Sequence, residues 1–151
     1  ALFGQLPVGT AADLVELMNY SVKSAGSIMN TGFAFVSPDT TVAGVFEEIR
    51  SVFCGIESLH YIYAVDGGNV LCGVASLKDL ICSDGQLPVS AVMKGNIIMC
   101  EVDTPLDEVA RIFLKYNFPV IPVVDGQNRL EGIITIKDAL EAVYPRITKE
   151  F

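Results

Sequence analysis

Tryptophan is absent from this 151-residue chain, histidine occurs once, and Lys plus Arg total 10 against 18 acidic residues. Each shortage excludes something. With His60 alone, neither a histidine-based metal cluster nor a Ser-His-Asp triad can be assembled. A cysteine nucleophile would have to borrow His60 as its base, and the apolar strand around that residue speaks against it. The net charge of −8 removes the clustered cations that a nucleic-acid surface needs. Acidity of this kind mainly keeps a protein soluble, although it can also attract divalent cations. No GxxxxGK(S/T) phosphate loop is present. No apolar run reaches the roughly 18 residues that cross a bilayer, and no signal peptide is visible. Cys54, Cys72, Cys82 and Cys100 show no CxxC spacing and sit mostly in apolar runs, so reduced, buried thiols are expected. The chain opens on Ala1, not methionine, which points to a piece of a longer protein.

What the chain has is a hydrophobic content of 51%, enough for one sizeable core or two small fused ones. It also has an internal repeat, the feature to look for first. Ile62 to Ile81 reads IYAVDGGNVLCGVASLKDLI, and Ile121 to Leu140 reads IPVVDGQNRLEGIITIKDAL. At an offset of 59, nine of these twenty positions are identical, among them Asp66, Gly67, Asn69, Gly73, Lys78 and Asp79. Upstream the match continues at an offset of 64, pairing Met29 with Met93 and Asp39-Thr40 with Asp103-Thr104. The change of offset places five extra residues in the first copy, near Phe53 to Ser58.

Both copies parse alike. Val42, Val45, Phe46 and Ile49 recur at i, i+3, i+4 and i+7, as do Leu106, Val109, Ala110 and Phe113, so each copy carries a helix with one buried stripe. Thr40 and Thr104 are placed to cap those helices, with Pro105 at the first helical position. Ile62–Val65 and Val70–Ala75 read as strands joined by the hairpin turn Asp66-Gly67-Gly68-Asn69, repeated as Asp125-Gly126-Gln127-Asn128. A second helix follows, from about Leu77 to Cys82 and from Ile136 to Val143. A short strand before the first helix completes each unit, Ala34–Val36 and Ile97–Val102. The expected class is α/β (α+β): two β-α-β-β-α units related by a pseudo-twofold axis and packed through their sheets, with two equivalent clefts between them. A helix over Ala11–Asn19, capped by Thr10, belongs to neither copy. The domain reading is therefore 1–23 as an N-terminal helix, 24–83 and 84–143 as the two motifs, and 144–151 as the start of a connecting helix or tail.

The sharpest motif is Gly73-Val-Ala-Ser76-Leu-Lys78-Asp79 with its partner Gly132-Ile-Ile-Thr135-Ile-Lys137-Asp138. A hydroxyl followed three residues later by Asp, at a strand-to-helix junction, resembles a capping box. The same geometry suits a nucleotide. Ser76 or Thr135 can donate to a phosphate oxygen, Lys78 or Lys137 can add charge, and Asp79 or Asp138 can accept from ribose hydroxyls.

A duplicated strand-helix-strand-strand-helix unit ending in G-x-x-(T/S)-x-x-D resembles the tandem CBS-domain pair (Bateman module), over roughly Ser24 to Val143. That resemblance implies adenosine-nucleotide binding, ATP or AMP, in the clefts, with Asp79 and Asp138 at the ribose position. Ala25–Met29, His60–Asp66 and Ser76–Ile81 are further similar to the cytosolic CBS region of MgtE-type magnesium transporters. There Tyr61, Lys78 and Asp79 match ATP contacts, and Phe118 matches an aromatic lining the cleft. Core packing at strand edges is the alternative account of Tyr61 and Phe118. For Mg2+, Asp107, Asp138 and Glu150 match acidic positions, whereas Asn117, Arg146 and Lys149 stand where that family has carboxylates and would repel or fail to hold the ion. Asp107 and Glu108 also suit the first turn of a helix as favourable charges.

The resemblance implies a non-catalytic regulatory element on the cytoplasmic side of a membrane. It would form a homodimer through its helices and connect to a transmembrane pore domain of the same parent chain, with no nucleic acid and no insertion of its own. The alternatives are a free-standing adenylate sensor acting on a partner enzyme, and a dimerisation module without a ligand.

Overall fold

The computed structural model describes residues 24–57 and 59–143. The helix expected over Ala11–Asn19 with its Thr10 cap, and the tail 144–151, lie outside the described residues. Two three-stranded sheets form the frame. In the first copy, α1 (Ala25–Ile28) leads to β1 (Phe35–Val36), α2 (Val42–Glu48), β2 (Tyr61–Val65), β3 (Leu71–Ser76) and α3 (Leu77–Ile81). In the second, α4 (Val89–Val92) leads to β4 (Cys100–Glu101), α5 (Leu106–Tyr116), β5 (Val120–Val124), β6 (Leu130–Thr135) and α6 (Ile136–Val143). β1 runs parallel to β2, which forms an antiparallel hairpin with β3; β4, β5 and β6 repeat this. Both hairpins shift register at one place, Ala64/Val65 and Val123/Val124. Their turns close with Asn69 and Asn128 at φ 65° and 63°, the left-handed region that asparagine tolerates.

The strands are buried on both faces. Ile62 and Ala64 face the helices with Val42, Val45 and Leu80, and Ile121 and Val123 do the same with Val109 and Phe113. Tyr63 and Val65 point the other way and meet Val120, Val124 and Ile133 of the second sheet in a shared layer. That layer is the pseudo-twofold contact. Main-chain bonds from Leu71 N–H to the Asn128 carbonyl and from Leu130 N–H to the Asn69 carbonyl, both 2.9 Å, stitch the hairpins together symmetrically.

The leading arms cross over. Ala25 of α1 is buried in the second copy's helix-side core, and Asn30 forms a bridge with Ile133. Reciprocally, Val89 of α4 is buried in the first copy's core, and Lys94 bridges Val74. Each arm lays a methionine over a glycine of the other copy. A Cβ on Gly132 would come within 2.8 Å of the Met29 sulfur, and one on Gly73 would collide with Met93. The two glycines of the repeated motif are therefore required by close approach of a neighbour, not by an unusual φ.

Several local expectations need correction. The cap of α2 is Thr41, whose hydroxyl accepts from Gly44 N–H at 3.0 Å, and not Thr40. Thr104 does not cap α5: its hydroxyl accepts from Glu101 N–H at 2.9 Å, and Pro105 is itself the N-cap residue, one position before the helix. At α2 two adjacent threonines offer the same group, whereas α5 starts without a side-chain cap because proline occupies its N-cap position. The additional residues of the first copy follow a π-helical turn, Ile49–Phe53, that extends α2; α5 instead stops at Asn117 in the left-handed conformation, φ 54°. Of the four free cysteines only Cys100 is buried; Cys72 is half-buried, and Cys54 and Cys82 are exposed. Burial, and secondarily Glu108, push the Cys100 thiol up to about 12, so it is inert as a nucleophile.

Candidate functional site

At both strand-to-helix junctions the hydroxyl acts as a cap. Ser76 Oγ accepts from Asp79 N–H, and Thr135 Oγ1 from Asp138 N–H, each at 3.1 Å. The oxygens are thus engaged as acceptors while their O–H groups remain able to donate. The capping and ligand readings of this motif use different parts of the same hydroxyl.

The surroundings of the two junctions differ. Tyr61, Ser76, Asp79 and Phe118 line one hollow between the sheets, a cleft of about 250 Å³. Tyr61 and Tyr63 stand on the inter-sheet face of β2, Val74 and Ser76 on β3, and Val120 and Pro122 on β5. Phe118 closes one side, stacked on Tyr116 at 6.3 Å and 11°. Lys94, Asn96, Ile97 and Ile98 complete the wall from the crossed-over arm of the second copy. Burial raises the Tyr61 phenol above its usual range, and it raises Tyr63 further, with Tyr61 adding to the push.

Asp138 lies elsewhere, in a shallow open depression with Met29, Asn30, Thr31 and Glu141. Thr135 does not line it. Lys78 lines neither hollow and is exposed. Lys137 reaches toward Glu141 at 3.9 Å on the exposed face of α6. The two clefts are therefore not equivalent, which corrects the expectation from the repeat. Side-chain bulk explains it. Ile133 is 1% exposed and fills the inter-sheet layer where its counterpart Val74 is half-buried and lines the open cleft. Phe33, standing where the other copy has Ile97, packs edge-on against Tyr63 at 6.4 Å and 88°.

The acidic residues do not converge. Asp107 pairs with Arg111 at 3.6 Å, both side chains largely exposed, one turn apart on α5. Among the described residues, no group of three or more His, Cys, Asp or Glu side chains is arranged to hold a metal ion. Glu150, Arg146 and Lys149 lie outside the described residues.

Lys94 and Tyr63 were missed by sequence reading. Lys94 carries no motif, and its place in the cleft follows from the arm crossover, which pairs its backbone with Val74 at 2.9 and 3.0 Å. Tyr63 could have been found by alternation, since it is two residues from Tyr61 and so shares its face.

Comparison with known proteins gives the same picture. Over 141 residues the chain is 36% identical to the magnesium transporter MgtE of Thermus thermophilus, covering 93% of this chain and 31% of that protein. A crystal structure of the cytosolic domain of the Mg2+ channel MgtE in complex with ATP matches with TM-score 0.78 at 36% identity, over 93% of this chain and 56% of that one. The soluble part of a magnesium transporter matches with TM-score 0.80 at 29% identity, over 95% and 56%. The chain thus spans about a third of the length of its transporter relative. The family model of the CBS domain matches residues 25–83 and again 89–145. With two such motifs packed through their sheets, the chain belongs to the CBS domain family.

Proposed function

We propose that this CBS pair is the cytosolic control element of a magnesium (divalent cation) transporter and binds an adenosine nucleotide, ATP or AMP, in the Asp79 cleft. The carrying observation is the convergence of Tyr61, Ser76, Asp79 and Phe118 on one hollow between the sheets. Its aromatic and aliphatic walls suit the faces of a base, and the Asp79 carboxylate suits a pair of ribose hydroxyls. Its volume accommodates the nucleoside, so phosphates would extend out of it, and Lys94, which also lines the cleft, supplies a positive charge. Lys94 takes the charge role that the sequence pattern assigns to Lys78.

A ligand that prefers one arrangement of two pairs shifts that population, and the chain beyond α6 carries the change onward. Ile81, Leu114 and Leu140 are exposed on α3, α5 and α6 at 68%, 85% and 51%, and support association of two copies through the helices. The parent reading frame is expected to continue past Phe151 into several long apolar segments; if it stops there, the transporter role is lost.

Calorimetric titration with ATP, ADP and AMP tests the binding. Saturable uptake at one site per chain is expected. Asp79→Ala should weaken it at least about twentyfold, since two charge-assisted hydrogen bonds go. Asp138→Ala should stay within about twofold. Flat titrations, or equal losses from both substitutions, would refute the assignment.

A further inference from the structure

Tyr63 is 2% exposed, and among the described residues its hydroxyl is the buried side-chain polar atom that has no hydrogen-bond partner. Packing does not call for that oxygen. Phenylalanine would fill the same space, keep the edge-on contact with Phe33, and spare the fold an unsatisfied group. Tyr63 nevertheless lines the one cleft that gathers the candidate ligand groups.

Its position within that cleft narrows the role. Tyr61 lies opposite Ser76 across the hairpin, at the end where Asp79 enters; Tyr63 lies opposite Val74, one step further in. Around that inner step the strands supply Val74, Val120 and Pro122, whose side chains offer no hydrogen bond, and the crossed-over arm brings Lys94, paired through its backbone with Val74. The polar groups therefore divide. Ser76 and Asp79 stand at the outer end, and the Tyr63 hydroxyl is the side-chain polar atom that β2, β3 and β5 bring to the inner end. A purine has two apolar faces and a polar edge, which is the complement of such a surface.

We infer that the Tyr63 hydroxyl is a specificity-determining group of this cleft, hydrogen-bonding the edge of the purine base. The inference rests on the nucleotide reading above and deepens it. Burial keeps the phenol protonated throughout the physiological range, so it can both donate and accept.

Tyr63→Phe in the 151-residue chain provides the test, with AMP and ATP titrated calorimetrically and the unliganded proteins melted in parallel. The expected result is a loss of affinity of about fivefold, the same for AMP and ATP because the contact is to the base, together with an unchanged or higher Tm without ligand. Unaltered affinity would overturn the inference. A lower Tm of the unliganded variant would also overturn it, because the hydroxyl would then have its partner inside the protein. A loss confined to ATP would overturn it as well, moving the contact to the phosphates. Failure of the unsubstituted chain to bind either nucleotide is a separate result: it removes the nucleotide reading itself, whereas normal binding with an indifferent Tyr63→Phe removes only the hydroxyl's role.

Discussion

Ser76 and Thr135 accept the same backbone bond at the same 3.1 Å, and Gly73 and Gly132 lie under equivalent methionines, yet only the first junction opens into an inter-sheet cleft. The backbone plan was duplicated, and with it the strand pairing, the hairpin turns and the cap at each strand-to-helix junction. Openness of the cleft was not, because it depends on the volume of a few side chains facing the inter-sheet layer. Val74 leaves room where Ile133 does not, and Ile97 where Phe33 turns edge-on to Tyr63. A repeated motif thus reports the frame of a site; whether that frame encloses a usable hollow is decided by side chains the motif leaves open, within it and beyond it.

The largest expected effect probes the helix side, where the copies also differ. Leu80 of α3 is fully buried, and its counterpart on α6 is Ala139. α3 is a helix of only 5 residues against 8 for α6, so one large side chain does most of its anchoring. Leu80→Ala should cost about 2–5 kcal/mol in urea unfolding, through lost burial and the cavity left behind. It should also loosen Asp79, its neighbour on the same short helix. A cost below about 1 kcal/mol would show that the neighbouring core closes over the gap.

A second substitution is designed to erase the difference between the clefts. Ile133→Val with Phe33→Ile gives the second hollow the first hollow's side chains at these two positions. The Ile133→Val part should cost about 1 kcal/mol. If side-chain volume is what closes the second hollow, nucleotide stoichiometry in calorimetry should rise from one to two per chain. A stoichiometry that stays at one would assign the asymmetry to the π-helical turn and the extra residues beyond it.

Most of the frame was legible from periodicity. The stripe Val42, Val45, Phe46, Ile49 packs inward, both hairpins fall where the Asp-Gly turns place them, and α6 runs over Ile136–Val143. These features are local, and spacing records local structure directly. The crossover of the arms was not legible. Ala25 to Met29 adjoins the first copy in sequence and packs against the second in space, and no pattern within a segment states its distant partner. Lys94 was missed for the same reason. The cap shift from Thr40 to Thr41 is a smaller case, in which two neighbouring threonines offer the same group and only the backbone direction selects one.

The smallest effect lies in the turns, where the copies differ at two positions, Gly68 against Gln127 and Val70 against Arg129. Asp125 accepts from Gln127 and Arg129 N–H at 2.8 and 2.9 Å, as Asp66 does from Gly68 and Val70, but Arg129 adds a guanidinium bond at 2.7 Å that Val70 cannot make. The Arg129 backbone N–H is the largest influence holding the Asp125 carboxyl below its ordinary range, followed among the lowering influences by the Arg129 side chain and the Gln127 N–H. A carboxyl depressed in the folded state contributes stability that is complete above its unfolded pKa and disappears as pH falls through the folded value. Arg129→Val gives this turn the first copy's side chain at the position that makes the guanidinium bond. It should move the Asp125 midpoint, followed by carboxyl carbon NMR, only part of the way up, because the backbone N–H remains. A full return to the ordinary value would mean that the guanidinium, not the turn, sets the ionisation of this hairpin.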